Sequence, residues 1–244
     1  MKIILSPSKT QNEALTLPFH SDIPLLNQKA TLSLFKKLKK LSPAQLGEAM
    51  DIKGKLLDKT IKLYQDFDPK TTPTVSAIAL YTGVVFDQLT LAAYDEKQIA
   101  YINDHVRILS AMYGLLHPRS AIWPYRLDFT MKLPLLKLKA LWSPVIVKAL
   151  KAETLILDLS SQEYGTLLKP LSSKVHQIIF LELIEGQEKI ISTNAKKARG
   201  KMAHYLIHNC ITDITDLAGF NEDGYCFQAN RSNQNRSVFI KNKD

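Results

Sequence analysis

The chain has 244 residues, 45% of them hydrophobic and 23% charged, with a net charge of +9 and a pI near 9.4; it is long enough for one large core or two small ones, and its positive balance favours polyanionic partners or anionic small molecules. Only Ile3, Ile4 and Leu5 follow Lys2 as an apolar run, too short for a signal-peptide core, and no stretch approaches the ~20 apolar residues of a membrane span. Cys210 and Cys226 form no CxxC pair and suggest no disulfide framework, so they read as reduced thiols in a cytoplasmic protein.

Residues 2–5 read as a buried strand stopped by Ser6-Pro7. Residues 11–30, with Pro18 and Pro24, look irregular. Leu34, Phe35, Leu38 and Leu41 have helical spacing, with Lys36, Lys37, Lys39 and Lys40 on a solvated face. Ser42-Pro43 should start a second helix, and a third helical pattern covers 56–66. Residues 75–81 are strand-like. Ile102, Val106, Leu109, Tyr113 and Leu116 predict an amphipathic helix ended by His117-Pro118. Pro118, Pro124 and Pro134 punctuate the next stretch, and a helix should cover 142–150. Residues 154–159 fit an interior strand; Val175–Ile184 and 189–192 flank a hairpin turn; 225–227 and 237–241 are short strands. Helices mixed with hairpin and buried strands argue for one α/β or α+β domain over 1–244.

The densest charged feature is Ser192-Thr193-Asn194-Ala195-Lys196-Lys197-Ala198-Arg199-Gly200-Lys201. Lys189-Ile190-Ile191 before it reads as a strand and Met202 onward as a helix, with Thr193 or Asn194 as N-cap. The four cations then fall in the first two turns, where each exposed positive charge opposes the macrodipole by roughly 0.3–1 kcal/mol. A bound anion reconciles that placement with stability, since helix N–H groups and cationic side chains would both face it. A solvated basic turn is the plainer alternative.

Other segments carry weaker signals. Ser6-Pro7-Ser8-Lys9-Thr10 leaves a strand end, the side on which open sheets bind ligands, but lacks P-loop glycines and reads equally as a turn. The loop 119–126 sets Arg119 and Arg126, planar forks for phosphate, beside Trp123 and Tyr125; a core anchor is the favoured role for Trp123. At 160–164 a polar cluster ends a strand. Glu163 or Tyr164 there could move protons, whereas Ser160 with Glu163 also matches a capping box that leaves Tyr164 unexplained. Between two helical patterns, Gly54 flanked by Lys53 and Lys55 could bring backbone N–H groups close to a phosphate, although the segment alone reads as an ordinary helix–helix turn. The histidines at 20, 105, 117, 176, 204 and 208 form no HExxH; His204 and His208 lack a third ligand, so no metal or other cofactor is expected.

In order along nearly the whole chain, these segments resemble the YaaA family of bacterial peroxide-stress proteins. The likeness rests on Ile4-Leu5-Ser6-Pro7-Ser8-Lys9-Thr10, Arg107-Ile108-Leu109-Ser110-Ala111-Met112-Tyr113-Gly114-Leu115-Leu116, Pro124-Tyr125-Arg126-Leu127, Glu163-Tyr164, Ala195-Lys196-Lys197-Ala198-Arg199-Gly200 and Leu217-Ala218-Gly219-Phe220-Asn221. The resemblance implies a single compact domain of unusual topology, a sheet wrapped by helices with a basic cleft. It also implies DNA binding, a helix-hairpin-helix tipped by Lys53, Gly54 and Lys55, and protection from oxidative damage by lowering free intracellular iron. Val84, Gln162 and the 228–231 tail stand where the family pattern carries acidic residues, which weakens carboxylate chemistry and leaves the cations intact.

Together these features predict a monomeric cytoplasmic protein that binds DNA, duplex or branched, by its phosphates and without sequence readout. Lys9, Arg119, Arg126, Lys196, Lys197, Arg199 and Lys201 would meet phosphate, with Lys53, Gly54 and Lys55 at the hairpin. The rival expectation is an enzyme for a nucleotide or other phosphorylated small molecule, using Glu163 or Tyr164. An interaction protein whose charge serves only solubility is the third.

Overall fold

The computed structural model describes residues 1–12, 21–133 and 136–243; Pro18, His20 and Pro134 lie outside the described residues. β1 (Lys2–Leu5) forms where expected, with Ile3, Ile4 and Leu5 fully buried. α1 (Gln28–Lys39) is capped by the Asn27 side chain and buries Leu34, Phe35 and Leu38, while Lys36, Lys37, Lys39 and Lys40 stay exposed. α2 (Pro43–Met50) has Pro43 at its first position, and Ser42 and Gln45 cap each other's backbone reciprocally. Asp51 ends α2 in the left-handed region, and α3 (Lys55–Gln65) begins after Gly54.

Two expectations fail between 75 and 116. Residues 75–81 hold only β2 (Val75–Ser76), followed by a helical turn, α4 (Ala77–Leu80), whose first N–H groups donate to the Ser120 and Pro118 carbonyls. A short apolar run buried on all sides suits strand or helix, so spacing does not choose. The expected helix through Ile102 and Leu116 splits into α5 (Glu96–His105) and an antiparallel pair, β3 (Val106–Ser110) and β4 (Gly114–Leu116). Every residue from 108 to 116 is buried. The helical spacing was therefore a subset of a continuous apolar run, which is the mark of an interior strand.

β5 (Ala121–Ile122) pairs with β2 as a separate two-stranded sheet. α6 (Leu138–Leu150), β6 (Ile156–Asp158) and α7 (Gln162–Gly165) follow. β7 (Val175–Ile184) and β8 (Gln187–Lys189) make the expected hairpin, with Glu185 and Gly186 both at positive φ, as a tight hairpin turn requires. The strand expected at 189–192 stops early: Ile190 is 61% exposed, and α8 (Ser192–His208) starts two residues later. β9 (Tyr225–Phe227) and β10 (Arg236–Lys243) match the short strands expected near the end.

The main sheet is mixed and flanked by helices, in the order β4-β3-β1-β6-β7-β10-β9, with β8 also on β7. β3, β1, β6, β7 and β10 run parallel; β4, β8 and β9 run against them. From β1 the chain winds first to β3 on one side, then crosses to β6 and β7 on the other. Winding reverses between β1 and β6, so their carboxyl ends part around a crevice, the ligand position of open α/β sheets. One hydrophobic cluster, from Ile3 to Phe239, unites the described residues as a single compact domain.

α8 crosses the turn at Phe86–Gln88 through Gly200, where a Cβ would strike the Val85 carbonyl and approach the Gln88 Cγ to 2.7 Å. Gly200→Ala should therefore lower stability by about 1–3 kcal/mol, as overpacking does. The check is urea unfolding: a lower midpoint at unchanged slope is expected, and an unchanged midpoint would show that α8 slides freely.

Candidate functional site

A cleft of about 360 Å³ opens at the β1/β6 crevice. Its floor is tied by Ser6, just after β1, whose Oγ accepts the Ser161 N–H at 2.8 Å just after β6. The segment 123–128 forms one wall. It has no strand ladder, so side chains satisfy its buried backbone. The Tyr113 hydroxyl donates to the Trp123 carbonyl at 2.6 Å and accepts its N–H at 3.0 Å. The Tyr64 hydroxyl does the same for Arg126, at 2.6 and 3.1 Å, and Gln11 takes the Tyr125 N–H at 3.0 Å. Trp123 is buried and its indole N–H donates to the Thr72 carbonyl at 3.0 Å, which makes it the core anchor expected. Tyr125 is buried as well, its hydroxyl 2.8 Å from both Tyr81 and Ser110, and burial pushes its pKa up to about 12.

Of the residues singled out from sequence, the cleft brings together Lys9, Arg126, Glu163, Tyr164, Lys196 and Arg199. The Nε atoms of Arg126 and Arg199 are buried and have no hydrogen-bond partner among the described residues. Burial works against the Arg199 charge and lowers its pKa, with nearby Asp158 only partly offsetting it. Asp158 is itself pushed up by burial, against hydrogen bonds from the Ser160 N–H at 2.8 Å and O–H at 2.6 Å and the Arg199 charge.

Two carboxylates share the cleft, so its lining is mixed in sign. Lys9 Nζ pairs with Asp128 Oδ2 at 2.6 Å, and Thr130 donates to Oδ1 through its N–H at 2.9 Å and its hydroxyl at 2.5 Å. Burial raises Asp128, but the Lys9 and Thr130 hydrogen bonds outweigh it and hold the carboxyl below the ordinary aspartate value. Glu163 shifts the other way: burial and the Asp128 charge raise it, while the Phe129 N–H, donating to Oε1 at 2.9 Å, opposes. The two carboxyls are thus pushed in opposite directions within one cleft. Tyr164 is buried, packs edge-on to Phe129 with ring centroids 5.0 Å apart, and has no hydrogen-bond partner for its hydroxyl among the described residues.

Other sequence-derived candidates lie elsewhere. Arg119 forms an ion pair with Asp22, its Nε donating to Oδ1 at 2.8 Å, and does not line the cleft. Lys197 pairs with Asp223 at 3.1 Å, and Lys201 with Asp223 at 2.6 Å and Glu222 at 3.2 Å. Helical geometry explains the split: 196 and 199 share one face of α8, 197 and 201 another. The cap expected at Thr193 or Asn194 is instead Ile191, with no side-chain cap bond, and Asn194 lies inside the helix, donating to Glu182 at 2.6 Å. The four cations therefore follow an uncharged first turn, beyond most of the macrodipole's reach, and the misplaced-charge argument does not hold. The capping box expected at Ser160 is absent too; Ser161 is the N-cap, and the Ser160 hydroxyl serves Asp158.

Lys53 and Gly54 lie exposed on the turn between α2 and α3, and Lys55 is exposed at the first position of α3. Gly54 has φ 58° and ψ −143°, and nothing lies within 4 Å of the place its Cβ would take. Asp128 was missed from sequence; its signal is position, two residues beyond Arg126 on the same loop. His204 stacks on His208 at 5.5 Å and bonds the Tyr94 hydroxyl through Nδ1 at 2.7 Å. Among the described residues, no group of three or more potential metal ligands comes together, and no helix is long and apolar enough to cross a membrane.

Residues 1–231 match the sequence profile of the family described as "Peroxide stress protein YaaA". The chain is 37% identical over 253 residues to a UPF0246 protein of Acaryochloris marina, covering 99% of this chain and 100% of the relative. UPF0246 proteins of Polynucleobacter asymbioticus and Flavobacterium johnsoniae are each 36% identical, covering 98% and 98%, and 99% and 100%, of the two chains.

The carboxylate pair predicts opposite pH linkage. Glu163 titrates higher folded than unfolded, so its stabilising contribution is full below the ordinary glutamate value and is lost as pH rises through the folded value. Asp128 titrates lower, so its contribution is present above the ordinary aspartate value and is lost as pH falls through the folded value. Glu163→Gln keeps an acceptor for the Phe129 N–H and removes the charge. It should be more stable than wild type at about pH 7.5, with the gap closing near pH 4.5, as read from urea midpoints. An equal gap at both pH values would contradict the desolvated setting of Glu163.

Proposed function

We propose, from the fact that this chain belongs to the peroxide stress protein YaaA family and from the paired arginines of its cleft, that it is a phosphate-binding protein whose partner is DNA. One observation carries the reading. Arg126 and Arg199 reach a single cleft from separate segments and keep buried Nε atoms unpaired. A desolvated donor without a partner is costly, and a phosphate oxygen would complete both guanidinium forks. Lys196 adds charge at the rim, and the exposed turn at Lys53, Gly54 and Lys55 offers a second backbone contact, the helix-hairpin-helix role that the family resemblance implies. The sequence marks no base-reading helix, so the proposed contacts run to phosphate and carry no sequence identity. In the peroxide response, this monomeric, cytoplasmic protein would shield DNA while free iron is kept low. The second reading, an enzyme for a nucleotide or other phosphorylated small molecule, is favoured by the Asp128 and Glu163 carboxylates in the same cleft.

Salt dependence tests the DNA reading. Arg126, Lys196, Arg199, Lys53 and Lys55 are the singled-out cations without a carboxylate ion pair among the described residues. If these meet phosphates, log K should fall against log salt with a slope near −4.5, or roughly 500-fold between 50 and 200 mM. Affinity flat across that range removes this form of the proposal. Arg199→Ala should weaken duplex binding by about tenfold or more, since charge-assisted bonds are worth about 1.5–3 kcal/mol. The joint change of Lys36 and Lys37 to Ala should leave affinity unchanged.

The turn is tested separately. Gly54→Val places a β-branched residue in a conformation reserved for glycine and should impair DNA binding by folded protein, with a stability loss of about 1–3 kcal/mol. Fluorescence anisotropy with a labelled duplex reads the first effect; wild-type affinity in folded Gly54→Val would leave this segment as a helix–helix turn only.

A further inference from the structure

We infer that the phosphate held in the cleft is a strand terminus of DNA, a phosphate monoester at a 5′ or 3′ end, and not a phosphodiester within an intact strand. The inference rests on the DNA reading proposed above and deepens it by naming which phosphate of DNA the arginines take.

Size makes the first distinction. A volume of about 360 Å³ corresponds to roughly 7 Å in each direction. A duplex does not fit such a space, since its major groove alone is about 12 Å wide. Arg126 and Arg199 both line the cleft and their Nε atoms are buried, so an anion that completes both forks has to enter it. An internal phosphodiester carries a nucleotide on either side and would bring both with it. A terminal phosphate is tethered on one side only, and the duplex behind it can stay outside.

The backbone around the arginines is not free to widen the space. The Tyr64 hydroxyl holds the Arg126 peptide through both its N–H and its C=O. Gly200, beside Arg199, lies so close to the Val85 carbonyl that a Cβ would come within 2.4 Å of it. Ser6 ties the ends of β1 and β6 together through the Ser161 N–H.

Charge makes the second distinction. Lys9 and Asp128 pair at 2.6 Å and offset each other. Of the remaining charged groups that line the cleft, Arg126, Lys196 and Arg199 face only the Glu163 carboxyl. Three cations against one carboxyl leave at least two positive charges in excess, whether or not Glu163 holds a proton. Asp158 also acts on Arg199 but does not line the cleft. A phosphodiester brings one negative charge, whereas a phosphate monoester carries about 1.5 to 2 at pH 7 and three free oxygens. Two guanidinium forks and one ammonium match those three oxygens. Such termini are absent from an intact strand and appear where a strand is cut, which suits a member of a peroxide stress family.

The test is competition, read by fluorescence anisotropy on the full chain, with one DNA sequence in four forms. These are a closed dumbbell without ends, a linear duplex with hydroxyl ends, and the same duplex phosphorylated at its 5′ or at its 3′ ends. At least one phosphorylated form should bind about tenfold or more tightly than the hydroxyl-ended duplex and the dumbbell. Inorganic phosphate should compete that advantage away. Arg199→Ala should remove most of it, and so should Arg199→Lys, which keeps the charge and loses the fork. Equal affinity for all four forms overturns the inference and leaves the DNA reading standing. If no form binds, the DNA reading fails and takes this inference with it. An advantage that survives in folded Arg199→Ala and Arg126→Ala overturns the assigned site. CMP that binds as tightly as the phosphorylated duplex assigns the cleft to free nucleotides and overturns the inference as well.

Discussion

Backbone that runs buried without a ladder must find partners for its N–H and C=O groups, and in the segment 123–128 Trp123 and Arg126 find them on tyrosine hydroxyls. A phenol can donate and accept at once, so Tyr113 and Tyr64 each close a two-way bond with one residue's backbone, as a neighbouring strand would. Trp123 and Arg126 are thereby fixed at the backbone, independently of what their side chains do. Phe35, Phe67 and Trp123 pack around this point, with Phe35 stacked on Phe67 at 3.9 Å and edge-on to Trp123 at 6.0 Å. The cleft inherits this rigidity. Arg126 and Asp128 stand on a wall that cannot relax without stranding buried polar groups, which costs about 1–3 kcal/mol for each group left unpaired.

Placement rather than number decides which cations matter. The chain carries 32 Lys and Arg residues, yet many of those with the most suggestive sequence context are spent on carboxylates. Asp22 takes Arg119, and Asp223 takes both Lys197 and Lys201. Exposed pairs of this kind contribute little stability, but they quench the charge offered to a ligand. Arg126 and Arg199 have no ion pair among the described residues, and the neighbouring acids are engaged elsewhere: Asp158 by Ser160, Asp128 by Lys9 and Thr130. Asp158, Asp128 and Glu163 each accept a hydrogen bond from a neighbour, while the Nε atoms of Arg126 and Arg199 have none among the described residues.

Local rules were legible wherever a segment's structure depends on its own residues. The strand at Lys2–Leu5, the Ser42-Pro43 helix start, the hairpin after Val175–Ile184 and the short strands near the end follow from capping, turn and burial patterns. The run from 106 to 116 did not, because continuous burial erases the periodicity that separates helix from strand. The site was half legible. Lys9, Arg126, Glu163, Tyr164, Lys196 and Arg199 converge on one cleft. Pairing with Asp22 or Asp223 was invisible, because those partners lie 97 and 22 residues away from Arg119 and Lys201. Glu163 shows the reverse error. Its capping-box spacing was real, but a tertiary partner, the Phe129 N–H, claimed the carboxylate first.

α3 is an 11-residue rod. Lys55 opens it at the exposed turn, and Tyr64, near its far end, grips the Arg126 peptide from both sides. Between them lie nine residue steps, about 14 Å of continuous helix at 1.5 Å per residue. Axial movement of that rod must be shared by the peptide it holds, because slippage would break two hydrogen bonds at once. The turn at one end and the Arg126 peptide at the other are therefore joined by one stiff element.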